Sequence, residues 1–434
     1  MNQNTIFDLV KKTNRGLKRY FKRFFEKIDL LGENSDKSNK YEIYSVIGIC
    51  AIFLLLLYKL IITHSRMFAH DTIWYYGLIH YFYNSLTKGV FPYWDPYDYC
   101  GQPFYYNLGI SRIFELPSLI LIFINKVINV SLLTLYHWDF ILRIIIIAIG
   151  IYGSFRQTNK YVASNLVVFI SFLFSSFSFA SMWQCGLLTT FMWTPYCLWF
   201  LLRLYKKLNL YNVVGFALFT GLSITSYQAG YVLTFLAIFI LTFLINKRNW
   251  LFHIFRSKKN IGLLTIGMII VILLSLQGVA VFIEKDRTIP LLRRLYAPTE
   301  VTYRGEGSIG KHNCLLDFIG LFFPLIAASR GEAIHNKSFS EGPLYIGIIP
   351  LLLAVMGICS SKDKWKINFL ITFLVVSFLA VGGKYKLGPL GEWLFPFLRY
   401  AQNMQLFQPF IILTLMYFVG QGMDILIKWC RNEY

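Results

Sequence analysis

Long apolar runs separated by short polar segments dominate this chain from residue 44 onwards. A transmembrane helix needs about 20 mostly apolar residues, and several runs are shorter than that. The pattern predicts ten spans, at roughly 44–63, 139–155, 165–180, 188–204, 212–226, 229–245, 261–283, 343–360, 367–382 and 406–427. Segment 117–134 is predicted as one or two interfacial helices instead, because a span there would place Arg156 and Lys160 outside.

The composition agrees with a membrane protein, and the predicted topology explains the net positive charge. Of the 434 residues 56% are hydrophobic and 15% are charged, whereas a soluble domain keeps about a quarter of its residues charged. The net charge of +20 is unevenly distributed. With a cytoplasmic N-terminus, the cytoplasmic segments carry most Lys and Arg and the short loops follow the positive-inside rule. The cations therefore indicate topology, and no nucleic-acid partner is predicted.

This topology divides the chain into a tail, a membrane domain and long outer loops. Residues 1–43 carry ten Lys and Arg among aromatic residues, which is typical of an amphipathic helix on anionic lipid or of a solvated basic tail. The seven Cys form no CxxC pair, so neither a disulfide framework nor a zinc site is expected. The predicted parts are the tail 1–43, the membrane domain 44–427 with outer loops 64–138, 284–342 and 383–405, and a cytoplasmic tail 428–434.

The first outer loop holds the candidate chemistry. Asp71 follows the first span among aromatic residues, where a partly desolvated carboxylate can take a proton from a hydroxyl or hold a divalent cation. The alternative is an N-cap that opens an interfacial helix. Trp94 and Tyr97, with Asp95 between them, suit either a sugar-stacking platform or an interfacial aromatic belt.

Two sets of cations are candidates for binding phosphate. Arg143 lies within a predicted span, so it is either a buried phosphate partner, an arginine that reaches the headgroups, or the partner of Asp139 one turn earlier. The second outer loop adds a basic cluster that suits either phosphate groups or anionic lipid. That cluster contains Lys285, Arg287, Arg293, Arg294, Arg304 and Lys311. No metal site is predicted from the scattered His residues.

Several motifs resemble the YfhO-type bacterial membrane proteins, within the GT-C class of lipid-phosphosugar-dependent glycosyltransferases. The family pattern has an Asp after the first span, then Gly-x-x-Pro-x-Trp-x-Pro and a Gly-x-Pro-Phe turn. Here these are Asp71, Gly89–Pro96 and Gly101–Phe104. The stretches Asp317–Pro324 and Tyr345–Leu353 agree with the family as well, in the same order along the chain.

The resemblance also includes Leu379–Pro396 and a last span that closes in Gly422-Met423-Asp424. One departure concerns phosphate binding. Family members often carry an Arg-x-Pro-x-Arg-like stretch before the last matched span, where this chain has Gln405-Leu406-Phe407-Gln408-Pro409.

The resemblance implies a GT-C-like, all-α polytopic enzyme in the bacterial cell membrane with two large extracytoplasmic loops. Such an enzyme moves a sugar from a polyprenyl-phosphate carrier to a glycan or teichoic-acid-like acceptor, with inversion, and the first-loop Asp serves as base. Applied here, Asp71 is the base and Trp94, Asp95 and Tyr97 bind sugar or acceptor. The expected phosphate contacts, taken from the candidate cations above, are Arg143 and one or two of Arg287, Arg293, Arg294 and Arg304.

Two alternatives remain open on sequence grounds. A transporter or flippase predicts broken helices, internal repeats and paired charges within spans. A non-catalytic envelope-biogenesis subunit with the same architecture would have nearly the same sequence pattern. The arrangement of Asp71 relative to Arg143 and the second loop is the feature expected to discriminate.

Overall fold

The computed structural model describes residues 40–62, 71–96, 102–104, 116–128, 130–180, 185–226, 229–296, 344–382, 394–395 and 407–431. Within these ranges the chain is mostly helical. Two two-residue strands, β1 (Trp94–Asp95) and β2 (Gln102–Pro103), pair antiparallel. The helices are α1 (Lys40–Ile62), α2 (Asp71–Thr87), α3 (Leu116–Ile128), α4 (Leu132–Phe155), α5 (Val162–Leu173), α6 (Ser176–Ala180), α7 (Cys185–Phe191), α8 (Thr194–Lys206), α9 (Leu210–Ile224), α10 (Ala229–Asn246), α11 (Arg248–Phe255), α12 (Lys258–Tyr296), α13 (Ile348–Ser360), α14 (Lys366–Gly382) and α15 (Gln408–Arg431).

The helical class predicted from the apolar runs is confirmed. In the described part of the chain, four helices are long and apolar enough to cross a membrane: α4, α10, the Lys258–Leu276 part of α12, and α15. Six shorter apolar stretches, Tyr41–Leu57, Pro117–Ile128, Val162–Leu173, Leu210–Ile224, Ile348–Ser360 and Lys366–Ala380, are also helical. The number of ten spans stays a prediction, as do the loop boundaries and the orientation in the membrane.

Two predicted spans are interrupted in the structure. The run 165–180 is divided between α5 and α6, and the hydroxyls of Ser175 and Ser178 donate to the Phe172 carbonyl at 2.7 and 2.9 Å. Such side-chain bonds compete with the helix's own hydrogen bonds, and α5 ends at Leu173. The run 188–204 is divided between α7 and α8, where Pro195 occupies the first turn of α8. Proline lacks an N–H, so it suits a helix start.

Helix α12 is much longer than the predicted span 261–283. It has 39 residues and continues to Tyr296. At 1.5 Å per residue it is about 58 Å long, roughly twice the thickness of the hydrocarbon core. The predicted outer loop 284–342 therefore begins as a continuation of this helix.

Helix α15 forms the centre of the bundle. In its most apolar stretch of 18 residues 89% of the residues are buried, against 11% in the corresponding stretch of α12. Helix α15 packs closely on α13 because glycines face each other. A Cβ added to Gly422 would lie 1.9 Å from the Leu353 carbonyl oxygen, and one added to Gly357 would lie 2.1 Å from the Phe418 carbonyl oxygen. Small residues at such a contact let the two backbones approach, as is common between membrane helices.

Polar contacts join several helix ends at one end of the bundle. Glu42, near the start of α1, forms an ion pair with Arg156 after α4 at 2.9 Å. Asp424 of α15 accepts hydrogen bonds from the backbone N–H groups of Lys160 and Tyr161 and from the Ser164 hydroxyl, at 2.6, 3.2 and 2.5 Å. The carboxylate thus satisfies donors at the start of α5, which has no side-chain cap of its own.

Candidate functional site

Arg143 lies deeper in its helix than the predicted span boundary implied. The span was expected to start at 139, but α4 starts at Leu132, because the Ser131 side chain caps it and accepts a hydrogen bond from the Thr134 N–H at 3.2 Å. Arg143 is therefore eleven residues into α4, or about 16 Å along its axis. The segment 132–138, expected to belong to the outer loop, is part of this helix.

The Arg143 guanidinium sits in a closed polar cluster formed by α3 and α4. Its Nε donates to Asp139 Oδ2 at 2.9 Å, and its Nη2 donates to the Ser118 hydroxyl at 2.9 Å. Ser118 in turn donates to Asp139 Oδ1 at 3.4 Å, and Nη1 lies 3.8 Å from the Met192 sulfur. Arg143 and Asp139 have no exposed side-chain surface. We call Ser118, Asp139 and Arg143 the buried polar cluster.

This geometry decides between the structural interpretations of Arg143. An arginine that reaches the headgroups keeps its charged end in a polar region, whereas this side chain is fully buried and pairs with Asp139. A phosphate would therefore compete with the Asp139 carboxylate for the guanidinium. Ser118 was not singled out in the sequence, because it is 25 positions from Arg143 in a segment expected to be interfacial.

Helix α2 starts at Asp71 and packs against α3 and α4, the two helices that carry the buried polar cluster. The rings of Tyr76 and Tyr136 meet edge-on, with centroids 5.4 Å apart. Burial raises the pKa of the Tyr76 hydroxyl above its ordinary value. Tyr76 lies five residues after Asp71, and Tyr136 lies about two helical turns before Arg143. The carboxylate of Asp71 itself lies outside the side chains that the structure describes.

The loop after α2 is anchored on that helix. Its two strands pair Trp94 with Pro103 and Asp95 with Gln102. The Tyr81 hydroxyl donates to the Trp94 carbonyl at 2.5 Å, and the fully buried Phe104 packs against Tyr81 with ring centroids 5.5 Å apart. The Gly-x-Pro-Phe turn of the resemblance thus has a structural role here, since its Phe fixes the loop.

The proposed sugar-binding residues are only partly described. The Trp94 side chain is 53% exposed, which leaves its ring accessible. Both a stacking platform and an interfacial belt need such exposure, so the exposure favours neither interpretation. Tyr97 and the side chain of Asp95 lie outside the described part of the structure.

Three of the second-loop arginines, Arg287, Arg293 and Arg294, lie in the C-terminal part of α12. If Lys258 marks the inner edge of the hydrocarbon core, an upright α12 carries Arg287 about 14 Å beyond the outer edge, and Arg293 and Arg294 about 23 Å beyond it. In that orientation a tilt of about 40° would lower Arg287 to about 3 Å above the edge, where headgroup phosphates lie. Of the three, Arg287 would then lie nearest the headgroups; Arg304 lies outside the described residues.

A metal-binding group is absent among the described residues, where no three His, Cys, Asp or Glu side chains come together. A cation held by Asp71 stays a prediction.

The comparisons with known proteins add no family. No family model matches the chain, and no curated protein matches it. The membrane character therefore rests on the apolar helices, and function has to be argued from the arrangement of Asp71, α2 and the buried polar cluster.

Proposed function

We propose that this protein is a membrane glycosyltransferase that moves a sugar from a polyprenyl-phosphate donor to a cell-envelope or polysaccharide acceptor. The observation that carries the proposal is the packing of α2, which starts at Asp71, against the helices that hold the buried polar cluster. A candidate base and a candidate phosphate partner thus lie on elements in contact. The similarity to the YfhO-type proteins gives the same assignment.

In the proposed reaction, Asp71 takes the proton of an acceptor hydroxyl. The hydroxyl oxygen bonds to the anomeric carbon as the bond from that carbon to the phosphate oxygen breaks, which inverts the configuration. The polyprenyl phosphate leaves with the electron pair, and an arginine stabilises its charge. Arg287 and Arg143 are the first candidates for that role, then Arg293, Arg294 and Arg304. Trp94, Asp95 and Tyr97 would hold the sugar or the acceptor.

We place the reaction on the outer face of a bacterial cell membrane, with the N-terminus in the cytoplasm. The end of the bundle that carries Glu42 and Arg156 would then face the cytoplasm. Short basic segments lie at that end, as the positive-inside rule requires. The partners are lipid-linked sugar, membrane lipid and a glycan or teichoic-acid-like acceptor.

A second candidate is a transporter or flippase of lipid-linked substrates. A specific observation favours it. Met192 lies at the interruption between α7 and α8, and its sulfur is 3.8 Å from Arg143 Nη1. Arg143 also forms a charged pair with Asp139 inside α4. Broken helices beside paired intramembrane charges are typical of transporter sites. A non-catalytic envelope subunit would lack both activities.

The deciding experiment measures transfer of radiolabelled sugar from polyprenyl-phosphate carriers by the purified protein in lipid. Asp71→Asn and Asp71→Ser are compared with the native chain, because Asn and Ser cap helices about as well as Asp but are not general bases. We expect both variants to melt like the native protein and to lose at least about a hundredfold in transfer.

The remaining outcomes are informative as well. Native transfer rates in both variants would remove Asp71 from the chemistry and leave it at the start of α2. A reduced melting temperature in Asp71→Ala, which removes the capping side chain, with transfer per folded molecule retained, would assign Asp71 to helix capping. Absence of transfer from every carrier, together with flipping of a labelled carrier in proteoliposomes, would replace the proposal with the second candidate.

A further inference from the structure

Three basic segments come together at the end of the bundle that carries Glu42 and Arg156. They are 203–207, 247–259 and 362–366, and together they hold eleven Lys and Arg and a single carboxylate, Asp363. We call them, with Phe243, the basic aromatic end.

Aromatic rings connect these segments. The Tyr205 ring centroid lies 5.0 Å from that of Trp365 and 5.9 Å from that of Trp250. Phe243 stacks on Trp365 with centroids 5.5 Å apart and contacts Trp250 at 5.1 Å. The Lys364 ammonium lies 4.8 Å from the centre of the Tyr205 ring. The cluster therefore holds the basic segments beside one another.

At this end the carboxylates are directed into the protein, whereas the cations are exposed at its surface. Asp363 accepts hydrogen bonds from the Trp365 N–H at 3.0 Å and from the Tyr417 hydroxyl at 2.7 Å, so its carboxylate is used inside the protein. Glu42 and Asp424 are likewise bonded to protein donors. By contrast, eight cations of these segments are exposed at the surface, among them Lys207, Arg248 and Lys364. The described surface of the basic aromatic end is therefore strongly positive.

A short helix at this end exposes the combination of side chains that is typical of a helix at the membrane interface. Helix α11 exposes Arg248 and Asn249 at its start, buries Ile254, and leaves the Phe252 side chain 65% exposed. Exposed Phe beside Arg and half-buried Trp is the combination found where a helix lies at the boundary between headgroups and acyl chains.

We propose that the basic aromatic end is a binding surface for anionic phospholipid headgroups. The exposed cations would contact the phosphates, and Phe252 would enter the acyl region. Charge complementarity selects anionic over zwitterionic lipid, since the described carboxylates at this end are directed inward. This surface is independent of the proposed transfer chemistry, and its test needs no enzymatic activity.

The test is native mass spectrometry of the 434-residue protein in neutral detergent with an equimolar mixture of phosphatidylglycerol and phosphatidylcholine of the same acyl chains. The test variant is Arg248→Gln/Lys364→Gln. The control is Lys88→Gln/Lys126→Gln, which removes two exposed cations from the predicted outer segments. All variants keep the basic residues of 1–43, so a difference in lipid retention between them comes from the helical bundle and not from this tail.

We expect the native protein to retain phosphatidylglycerol preferentially. In the test variant, the ratio of retained phosphatidylglycerol to retained phosphatidylcholine should fall about fivefold for each charge removed, since a basic residue near an anionic surface contributes about that factor. The control should keep the native ratio, and Arg248→Lys/Lys364→Arg should keep it as well. No preference in the native protein, or an equal loss in test and control variants, would overturn the proposal. If inorganic phosphate alone displaced the retained lipid, the surface would be a site for free phosphate and not for lipid headgroups.

Discussion

Replacement of Arg143 by Met should destabilise the protein strongly, whatever the protein's function. The change removes the positive partner of Asp139 and leaves that carboxylate fully buried, together with the Ser118 hydroxyl that Arg143 Nη2 contacts at 2.9 Å. A buried charge that loses its partner is costly, because no water can replace the interaction.

The magnitude follows from the completeness of the burial. Both side chains of the pair have 0% exposure, so the cost of about 3–5 kcal/mol for breaking a buried ion pair applies without a discount for solvent. Asp139→Leu alone should cost a similar amount. The double variant Asp139→Leu/Arg143→Met removes both charges and should recover to within about 1 kcal/mol of the native protein, because neither charge then remains unpaired. Ser118→Ala should cost less, about 1.5–3 kcal/mol for one hydrogen bond to a charged group.

The free energies of unfolding are measured by titration from mild detergent into denaturing detergent, followed by circular dichroism. Additive losses in the double variant would refute the reasoning, because they would mean that the two charges are stabilised independently. The same proteins separate structure from function. If Arg143 holds the donor phosphate, the refolded double variant is stable but inactive in transfer.

Two further changes test the contacts of α15. Gly422→Ala should lower the unfolding free energy by about 1–3 kcal/mol, because its Cβ would lie 1.9 Å from the Leu353 carbonyl oxygen; Gly48→Ala, with open space around it, should be neutral in the same detergent titration. Asp424→Asn should weaken the start of α5, since the carboxylate accepts three hydrogen bonds; amide hydrogen exchange there should rise more than in Ser164→Ala, which removes one of them.

The apolar runs predicted that the membrane part is helical, but not where individual helices are interrupted or extended. Hydropathy averages over about 19 residues, so it does not register a two-residue break such as the one at Phe174 and Ser175. Local chemistry gave better signals. Pro195 marks a helix start, and Ser131 three residues before Thr134 marks the start of α4, so capping rules would have moved that boundary outward.

The buried polar cluster could be predicted only in part. The pairing of Asp139 with Arg143 is a local i,i+4 relation, which the sequence alone predicts as one of three roles for Arg143. The contact with Ser118 depends on how α3 packs on α4, and the contact of Asp424 with Lys160 joins positions 264 apart. One sequence contains no direct record of such tertiary contacts.

The length of α12 has a mechanical consequence. A single helix of about 58 Å acts as a lever, and a change in tilt of about 10° at its inner end would move Tyr296 sideways by about 10 Å. Because a membrane helix adjusts its tilt to the thickness of the bilayer, a thinner membrane would tilt α12 further and shift its C-terminal arm sideways, together with the arginines that this arm carries.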